Sequence, residues 1–374
     1  MMRIGFDFRM GGSINSGIGR YVFELLKHVA AADPGISYVV FYNERNVDEA
    51  DLAVLKSFAN IELVATRARH YSLAEQTTFL RELNRHNLDL VHFPNFNVPV
   101  GYKRPYVVTI HDMVHHKISG HKPSRLLHFQ AYKYIIRSAA HRARTIITVT
   151  EVSKQEIIHY LGVPSEKIRV IAEAPSLEKA SLEQVEEVKK KYFLSRPYFL
   201  FVGTLERKKN VVTLARGFDE FMDKHKLNVD LVIAGKPDRH YPEIKHQALD
   251  IRHRDHIVFT DYVADKDLAA LYQGAYAFVT ASLHEGFGLP GVEAMQFGLP
   301  LLAANTKVFN EVYDDAAIYF DPESEDDIAE NMYLLARDPK FHEQLQEKSF
   351  RRAQLFSWEE AAAQTLAVYK EAYV

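Results

Sequence analysis

No cysteine occurs among the 374 residues of this chain. Disulfides, thiolate metal sites and cysteine nucleophiles are therefore excluded, and a reducing cytoplasm is the setting the sequence suits best. No apolar run approaches the roughly 20 residues that a bilayer-crossing helix needs. Met2 to Arg9 alternates Ile4, Phe6 and Phe8 with polar neighbours, so it reads as a first strand and not as a leader peptide. The histidines fall in no H-E-x-x-H or comparable ligand spacing, and no metal is expected. Internal repeats and low-complexity tracts are missing too. The net charge of -3 conceals an asymmetry, +6 over residues 1–175 and -9 over the rest. A polyanion binder is usually more lopsided, so nucleic acid is not the expected partner.

What is present has the profile of a soluble globular protein, 47% hydrophobic and 25% charged. Its length calls for two domains, each with its own core. Apolar runs that read as strands, among them Tyr38 to Tyr42, Leu88 to Phe93, Tyr106 to Asp112, Thr145 to Thr150 and Ile168 to Ile171, are separated by helical segments, one of them over about Ser72 to His86. That alternation predicts an α/β fold with parallel sheets covered on both faces and ligands at the carboxyl ends of the strands. A polar stretch, residues 173–192, reads as the linker and the first helix of a second domain. Another α/β series follows, with strands at Tyr198 to Gly203, Val229 to Gly235, Ile257 to Val263, Ala277 to Thr280 and Leu301 to Asn305. The domains expected are 1–175 and 176–358, each Rossmann-like.

Chemistry-bearing residues gather at the expected strand ends. Gly11 to Arg20 is a glycine-rich turn between the first strand and a helix carrying Tyr21, Val22, Leu25 and Leu26. Such a turn suits phosphate, although Gly17-x-Gly19-x-x-Val22 lacks the third glycine of a dinucleotide fingerprint. His111 and Asp112 end a strand, either as a capped end or as a pair that meets a ligand. Between Met113 and Thr150 there is no acidic residue, while Lys117, Lys122, Arg125, Lys133, Arg137, Arg142 and Arg144 are basic. Lys133, Arg137 and His141 share one face of a helix over Pro123 to His141. That face is either solvated or rests on an anionic membrane or a diphosphate-linked acceptor. After the strand at Tyr198 come Arg207, Lys208 and Lys209, three consecutive cations that repel one another unless an anion compensates them. Asp265-Lys-Asp267 opens a helix, where Asp265 reads as an N-cap and not as a metal motif.

The richest stretch is Thr280 to Pro300, TASLHEGFGLPGVEAMQFGLP, a strand, a glycine loop and a helix in succession. Glu285 and Glu293 bracket the loop. Gly286, Gly288 and Gly291 are expected to let backbone approach a ligand, and Pro290 suits a first helical turn whose amides favour an anion. A ligand with phosphate and hydroxyl groups together, such as a nucleotide sugar, matches this arrangement.

Glu285-Gly-Phe-Gly-Leu-Pro-Gly-Val-Glu293-Ala-Met, with Phe297-Gly-Leu-Pro300, closely resembles the signature of retaining glycosyltransferases of family 4. Ser16-Gly-Ile-Gly-Arg-Tyr21, Val202-Gly-Thr-Leu-Glu206 with Lys209-Asn210, Asn310 to Ala317 and Phe356-Ser-Trp358 extend the resemblance over essentially the whole chain. It implies the GT-B fold, two Rossmann-like domains facing across a cleft, with a last helix, 359–374, crossing back to the first domain. The first domain would bind acceptor and the second a nucleotide sugar. Lys208 and Lys209 would neutralise the diphosphate; Arg207 stands where relatives carry proline and Lys208 where they carry arginine. Backbone amides over Gly286, Phe287, Gly288 and Leu289 would add donors, Glu293 would hold the ribose, and Glu285 would hold a sugar hydroxyl near the reacting carbon. Gly17 and Gly19 would line the cleft, and His111 and Asp112 would meet sugar or acceptor. The implied activity is metal-independent, cofactor-free transfer of a hexose, with GDP-mannose the first donor expected and a UDP-sugar the second. A glycan or lipid-linked oligosaccharide would accept it, in polysaccharide or lipopolysaccharide assembly, at the cytoplasmic face of the membrane. A GT-B-like epimerase or phosphorylase and a non-catalytic nucleotide-binding protein are the rival classes.

Overall fold

The computed structural model of the chain describes residues 2–12, 16–117 and 123–373, apart from the side chains of Ser16, His115, Lys117 and residues 123–128. Lys122 and the side chains of Lys117 and Arg125, three of the basic positions noted above, lie outside the described residues. The chain divides into two compact units, one formed by Met1–Glu173 with Ser357–Val374, the other by Ala174–Phe356.

The first unit is built on seven parallel strands: β1 (Arg3–Asp7), β2 (Ser37–Asn43), β3 (Ile61–Thr66), β4 (Leu90–Phe93), β5 (Tyr106–Thr109), β6 (Thr145–Thr148) and β7 (Ile168–Val170), in the order β3-β2-β1-β4-β5-β6-β7. Ile4 of β1 pairs with Tyr38 on one side and with Leu90 on the other. Every residue of β4, β5 and β6 is buried, because helices cover both faces of a parallel sheet. The second unit has six parallel strands: β8 (Tyr198–Val202), β9 (Asp230–Ala234), β10 (Ile257–Asp261), β11 (Ala277–Thr280), β12 (Leu301–Ala304) and β13 (Ala317–Phe320), in the order β10-β9-β8-β11-β12-β13. In each sheet the strand order reverses beside the first strand, between β1 and β4 and between β8 and β11. A crevice for ligands opens outside the carboxyl ends at such a reversal.

Local chemistry explains where the helices begin and end. Ser181 and Gln184 form a reciprocal capping box that starts the first helix of the second unit, Leu182–Lys191. Asp265 does not cap its helix. Ala264 occupies the cap, and Asp265 is the first helical residue of Asp265–Gly274, where a carboxylate still meets the positive end of the helix dipole. Asp267 is drawn to Lys191 at 2.6 Å. The helix expected over Ser72 to His86 runs over residues 73–85 and contains a π turn, Glu75–Phe79, that leads into Leu80–Arg85.

The last helix, Trp358–Tyr373, packs against Ser16–Ala32 of the first unit. The Tyr369 hydroxyl lies 2.7 Å from His92 Nδ1, and His92 Nε2 lies 2.9 Å from Thr109 Oγ1, all of it buried. Burial pushes His92 down to about 3, so the imidazole is neutral and carries one donor and one acceptor for these two contacts.

Candidate active site

In the second unit the two loops that leave β8 and β11 are neighbours, since those strands pair directly. The β8 loop makes one 3-10 turn over Arg207–Lys209 and enters the helix Val211–His225 through Asn210, whose φ of 54° is left-handed. Asparagine tolerates that conformation better than most residues. Asn210 is also pinned, its Nδ2 donating to the Pro322 carbonyl at 2.7 Å and its Oδ1 accepting from Thr213 at 2.7 Å. The β11 loop reaches back, and the Leu283 amide donates to the Lys208 carbonyl at 2.8 Å. Basic turn and glycine loop are thereby tied into one structure.

The three cations are each compensated by a glutamate. Arg207 pairs with Glu243 at 3.4 Å, Lys208 with Glu206 at 3.6 Å and Lys209 with Glu285 at 2.5 Å. Only the last pair is well sheltered, with both side chains 14% exposed. Burial alone raises the Glu285 carboxyl, but Lys209, then Lys208, with a hydrogen bond from Ser282, outweigh it and hold the group below its ordinary value. Glu285 is thus an anion against two lysines, close to where a diphosphate would compete for the same cations.

Gly288 ends the glycine loop with φ 88°, and the helix Leu289–Gln296 follows with Pro290 in its first turn. Gly288 and Gly291 also have a reason to be small within the fold. A Cβ at Gly291 would lie 2.3 Å from the Tyr313 ring, and one at Gly288 would lie 2.5 Å from the Tyr313 hydroxyl. These glycines make room for Tyr313, which donates to the Gly288 carbonyl at 2.8 Å and so braces the loop from behind. Phe287 is buried against Phe356, and Leu289 is buried as well. Glu293 is 1% exposed and accepts from the Tyr272 hydroxyl at 3.0 Å. Sequence reasoning assigned nothing to Ser282, Tyr272, Tyr313 or Glu243. Tyr272, Tyr313 and Glu243 approach the loops from distant positions that no local pattern signals, whereas Ser282 lies within the motif stretch, three residues before Glu285.

His111, Asp112, Gly17 and Gly19 all belong to the first unit. The Gly12 amide donates to the Gly19 carbonyl at 3.0 Å and closes the glycine-rich turn; residues 13–15 of that turn lie outside the described residues. Two residues past Gly19, the Tyr21 ring meets the His111 ring edge-on at 4.6 Å. His111 Nδ1 lies 3.1 Å from Glu173 Oε1 and Nε2 lies 3.0 Å from the Pro94 carbonyl. Both neighbours are acceptors. Burial opposes the charge, yet the Glu173 carboxylate and the Pro94 carbonyl prevail and raise His111 above its ordinary value. Asp112 accepts from the Val114 amide at 2.9 Å. Among the described residues no group of three or more His, Asp or Glu is placed to hold a metal ion, and no helix is long and apolar enough to cross a membrane.

Two Rossmann-like units, with a basic turn and a glycine loop at the second unit's strand reversal, define a GT-B glycosyltransferase. Residues 15–178 match the family described as Glycosyltransferase Family 4 and residues 184–352 match Glycosyl transferases group 1. The chain belongs to this family of glycosyltransferases. It is 27% identical over 369 residues to the O-antigen chain mannosyltransferase B of Escherichia coli, covering 95% of this chain and 96% of that one. Similarity to the O-antigen chain mannosyltransferase RfbU of Salmonella typhimurium is 27% over 239 residues, 64% of this chain and 62% of the other. Among solved structures, Anabaena HepE in complex with UDP-glucose superposes with a TM-score of 0.77 at 18% identity, covering 98% of this chain and 100% of that one. At that identity the likeness speaks for the fold.

Proposed function

We propose that this glycosyltransferase moves mannose from GDP-mannose, with retention, onto a glycan or lipid-linked oligosaccharide in polysaccharide or lipopolysaccharide assembly. The second unit holds the donor and the first holds the acceptor. The observation that carries the reading is the sheltered Lys209–Glu285 pair at the β8/β11 reversal, where a cation for the diphosphate and a carboxylate for a sugar hydroxyl stand side by side. Similarity to two O-antigen mannosyltransferases supports mannose.

When the bond from the anomeric carbon to the diphosphate oxygen breaks, negative charge grows on the leaving phosphate, and Lys209 and Lys208 offset it together with amides of the Gly286 to Leu289 loop. The electron pair stays with that oxygen. The acceptor hydroxyl approaches the same face of the sugar and bonds to the anomeric carbon, while its proton passes to the leaving phosphate. No protein base is required. Glu285 positions a sugar hydroxyl and Glu293 the ribose, with His111 and Asp112 on the acceptor side. Neither metal nor cofactor takes part, and turnover persists in EDTA. The helix Pro123–Arg142 exposes Tyr134, Arg137 and His141, a mix of aromatic and basic groups that suits the anionic inner face of the cell membrane.

A donor screen that reads released GDP against UDP, followed by NMR of the product, tests the proposal. GDP release from GDP-mannose and an α-linked product from the α-linked donor are expected, with Glu285→Ala nearly inactive and Asp112→Asn partly active. A β-linked product overturns retention, and turnover confined to UDP-sugars overturns the donor.

A further inference from the structure

The first unit has a strand reversal of its own, between β1 and β4, and the residues just past those strands are unusual. Asn95 Nδ2 donates to Asn97 Oδ1 at 2.9 Å while Asn95 Oδ1 accepts from the Phe96 amide at 2.9 Å. These bonds orient the two side chains. They leave Asn97 Nδ2, in a residue 1% exposed, with no partner at full hydrogen-bond geometry among the described residues, and only the Tyr71 phenol comes near it. A buried donor left so costs about 1–3 kcal/mol, and in native proteins it calls for a reason.

Beside the amides stands Tyr71, 63% exposed and held at φ 56°. A bulky residue in left-handed conformation is strained by about 1–3 kcal/mol and persists only where its surroundings impose it. Here they do. The Tyr71 amide donates to Glu75 Oε2 at 3.1 Å, and Glu75 Oε1 accepts from Arg9 Nη2 at 3.0 Å. Arg9 is fixed in turn by Asp7, at 2.8 Å from Nε and 2.7 Å from Nη2, and its guanidinium lies 3.6 Å from the centre of the Phe79 ring. Glu75 and Phe79 begin and end the π turn, a distortion often found at functional sites. A buried ionic network therefore presents one exposed tyrosine at a fixed angle.

Although 63% of Tyr71 is exposed, partial burial of its phenol end, with Glu75 and Asp112, raises its pKa, while the Asn95 and Asn97 side chains that the phenol meets ease it down. Its ring neighbours Phe96 at 6.0 Å, which meets Tyr132 edge-on at 5.1 Å. Aromatic faces, an amide donor and a carboxylate are what a pyranose ring requires: C–H faces against the rings, hydroxyls to the amide and to Asp112. Asp7 and Glu75 together outnumber the single charge of Arg9, and Asp112 adds another carboxylate, so the charge beside this seat is negative. A phosphate is disfavoured.

We propose that Tyr71, Asn95, Asn97, Phe96, Tyr132 and Asp112 form a seat for one neutral sugar ring of the acceptor glycan, with Tyr71 as its aromatic wall. This rests on the transferase reading above, with the first unit as acceptor side. The probe is methyl α-mannopyranoside, followed by saturation-transfer NMR on the full chain with and without inorganic phosphate, alongside acceptor KM and acceptor-free donor hydrolysis. Tyr71→Gly is the informative variant because glycine suits φ 56° better than tyrosine, so its fold is retained while the wall is lost. Saturation transfer should vanish and acceptor KM rise about tenfold or more, with donor hydrolysis persisting; Asn97→Ala should lose the same signal. Undiminished saturation transfer and KM in Tyr71→Gly, or displacement of the sugar by phosphate, overturns the seat. If the unaltered protein releases no nucleoside diphosphate from any donor, the donor reading falls instead, and sugar binding still judges the seat.

Discussion

Lys209 and Glu285 face each other at 2.5 Å with 14% of each side chain exposed, so a donor diphosphate has to take the lysine from the carboxylate. Removing either partner should then move nucleotide affinity in opposite directions. Lys209→Ala deletes the cation that both anions use. Loss of one charge-stabilising donor in an active site costs at least about 2 kcal/mol at the transition state, a factor of roughly 30 in kcat/KM, and GDP binding should weaken. Glu285→Gln removes the competitor and keeps the shape. A charge-assisted hydrogen bond is worth about 1.5–3 kcal/mol; partial exposure lowers that, and about 1.4 kcal/mol released to the nucleotide tightens GDP binding tenfold. Turnover should still fall, because the sugar loses its positioning carboxylate. Calorimetric titration with GDP and UDP, paired with the rate of diphosphate release, separates the effects. Ordinary turnover in Lys209→Ala, or GDP binding weakened in Glu285→Gln as much as in Lys209→Ala, would refute the competition.

The Glu285 carboxyl is held low, so its contribution to stability should be present above the unfolded value near 4.3 and be lost as pH falls through the folded value; the stability gap between the natural chain and Lys209→Ala should close in acid, and a gap independent of pH would contradict the pairing. His111 runs the other way, raised in the fold. Its contribution should be complete below about 6.5 and disappear as pH rises through the folded value, and Glu173→Gln should lower its NMR titration midpoint; an unmoved midpoint would discount the Glu173 contact. Gly291→Ala should destabilise by about 1–3 kcal/mol in urea unfolding because its methyl group meets the Tyr313 ring, with part of the loss recovered on adding Tyr313→Ala; no loss would mean that the loop yields freely. Replacing Lys133, Arg137 and Arg144 together by Glu should release the chain from anionic liposomes in sedimentation, at about 1 kcal/mol per charge, and unchanged sedimentation would leave a solvated helix face.

The central strands were legible because they are buried on both sides and read as plain apolar runs, Leu90–Phe93 and Tyr198–Val202 among them. Two edge strands escaped. Ile61–Thr66 and Ala317–Phe320 are mostly half-buried or exposed and pair on one side only, so their apolar signal is diluted. The strand, glycine loop and helix around Glu285 could be read from a local motif. What Gly288 and Gly291 accommodate could not, since Tyr313 arrives from beyond the next strand. Pairings such as Lys209 with Glu285, 76 positions apart, are tertiary facts that spacing does not encode. The π turn at Glu75 meets Arg9, itself held by Asp7 at the first strand's end, again out of reach of local pattern.

The closing helix has a consequence for how the molecule is made. His92 waits for Tyr369, 277 positions later, and at roughly 5–20 residues per second of synthesis that wait is on the order of tens of seconds. The second unit is continuous in the chain and can finish on the ribosome. The first, although translated earlier, leaves the surface that Trp358, Leu366 and Tyr369 will cover open until those residues emerge. The nascent first sheet therefore stays incomplete while the whole of the second unit is synthesised.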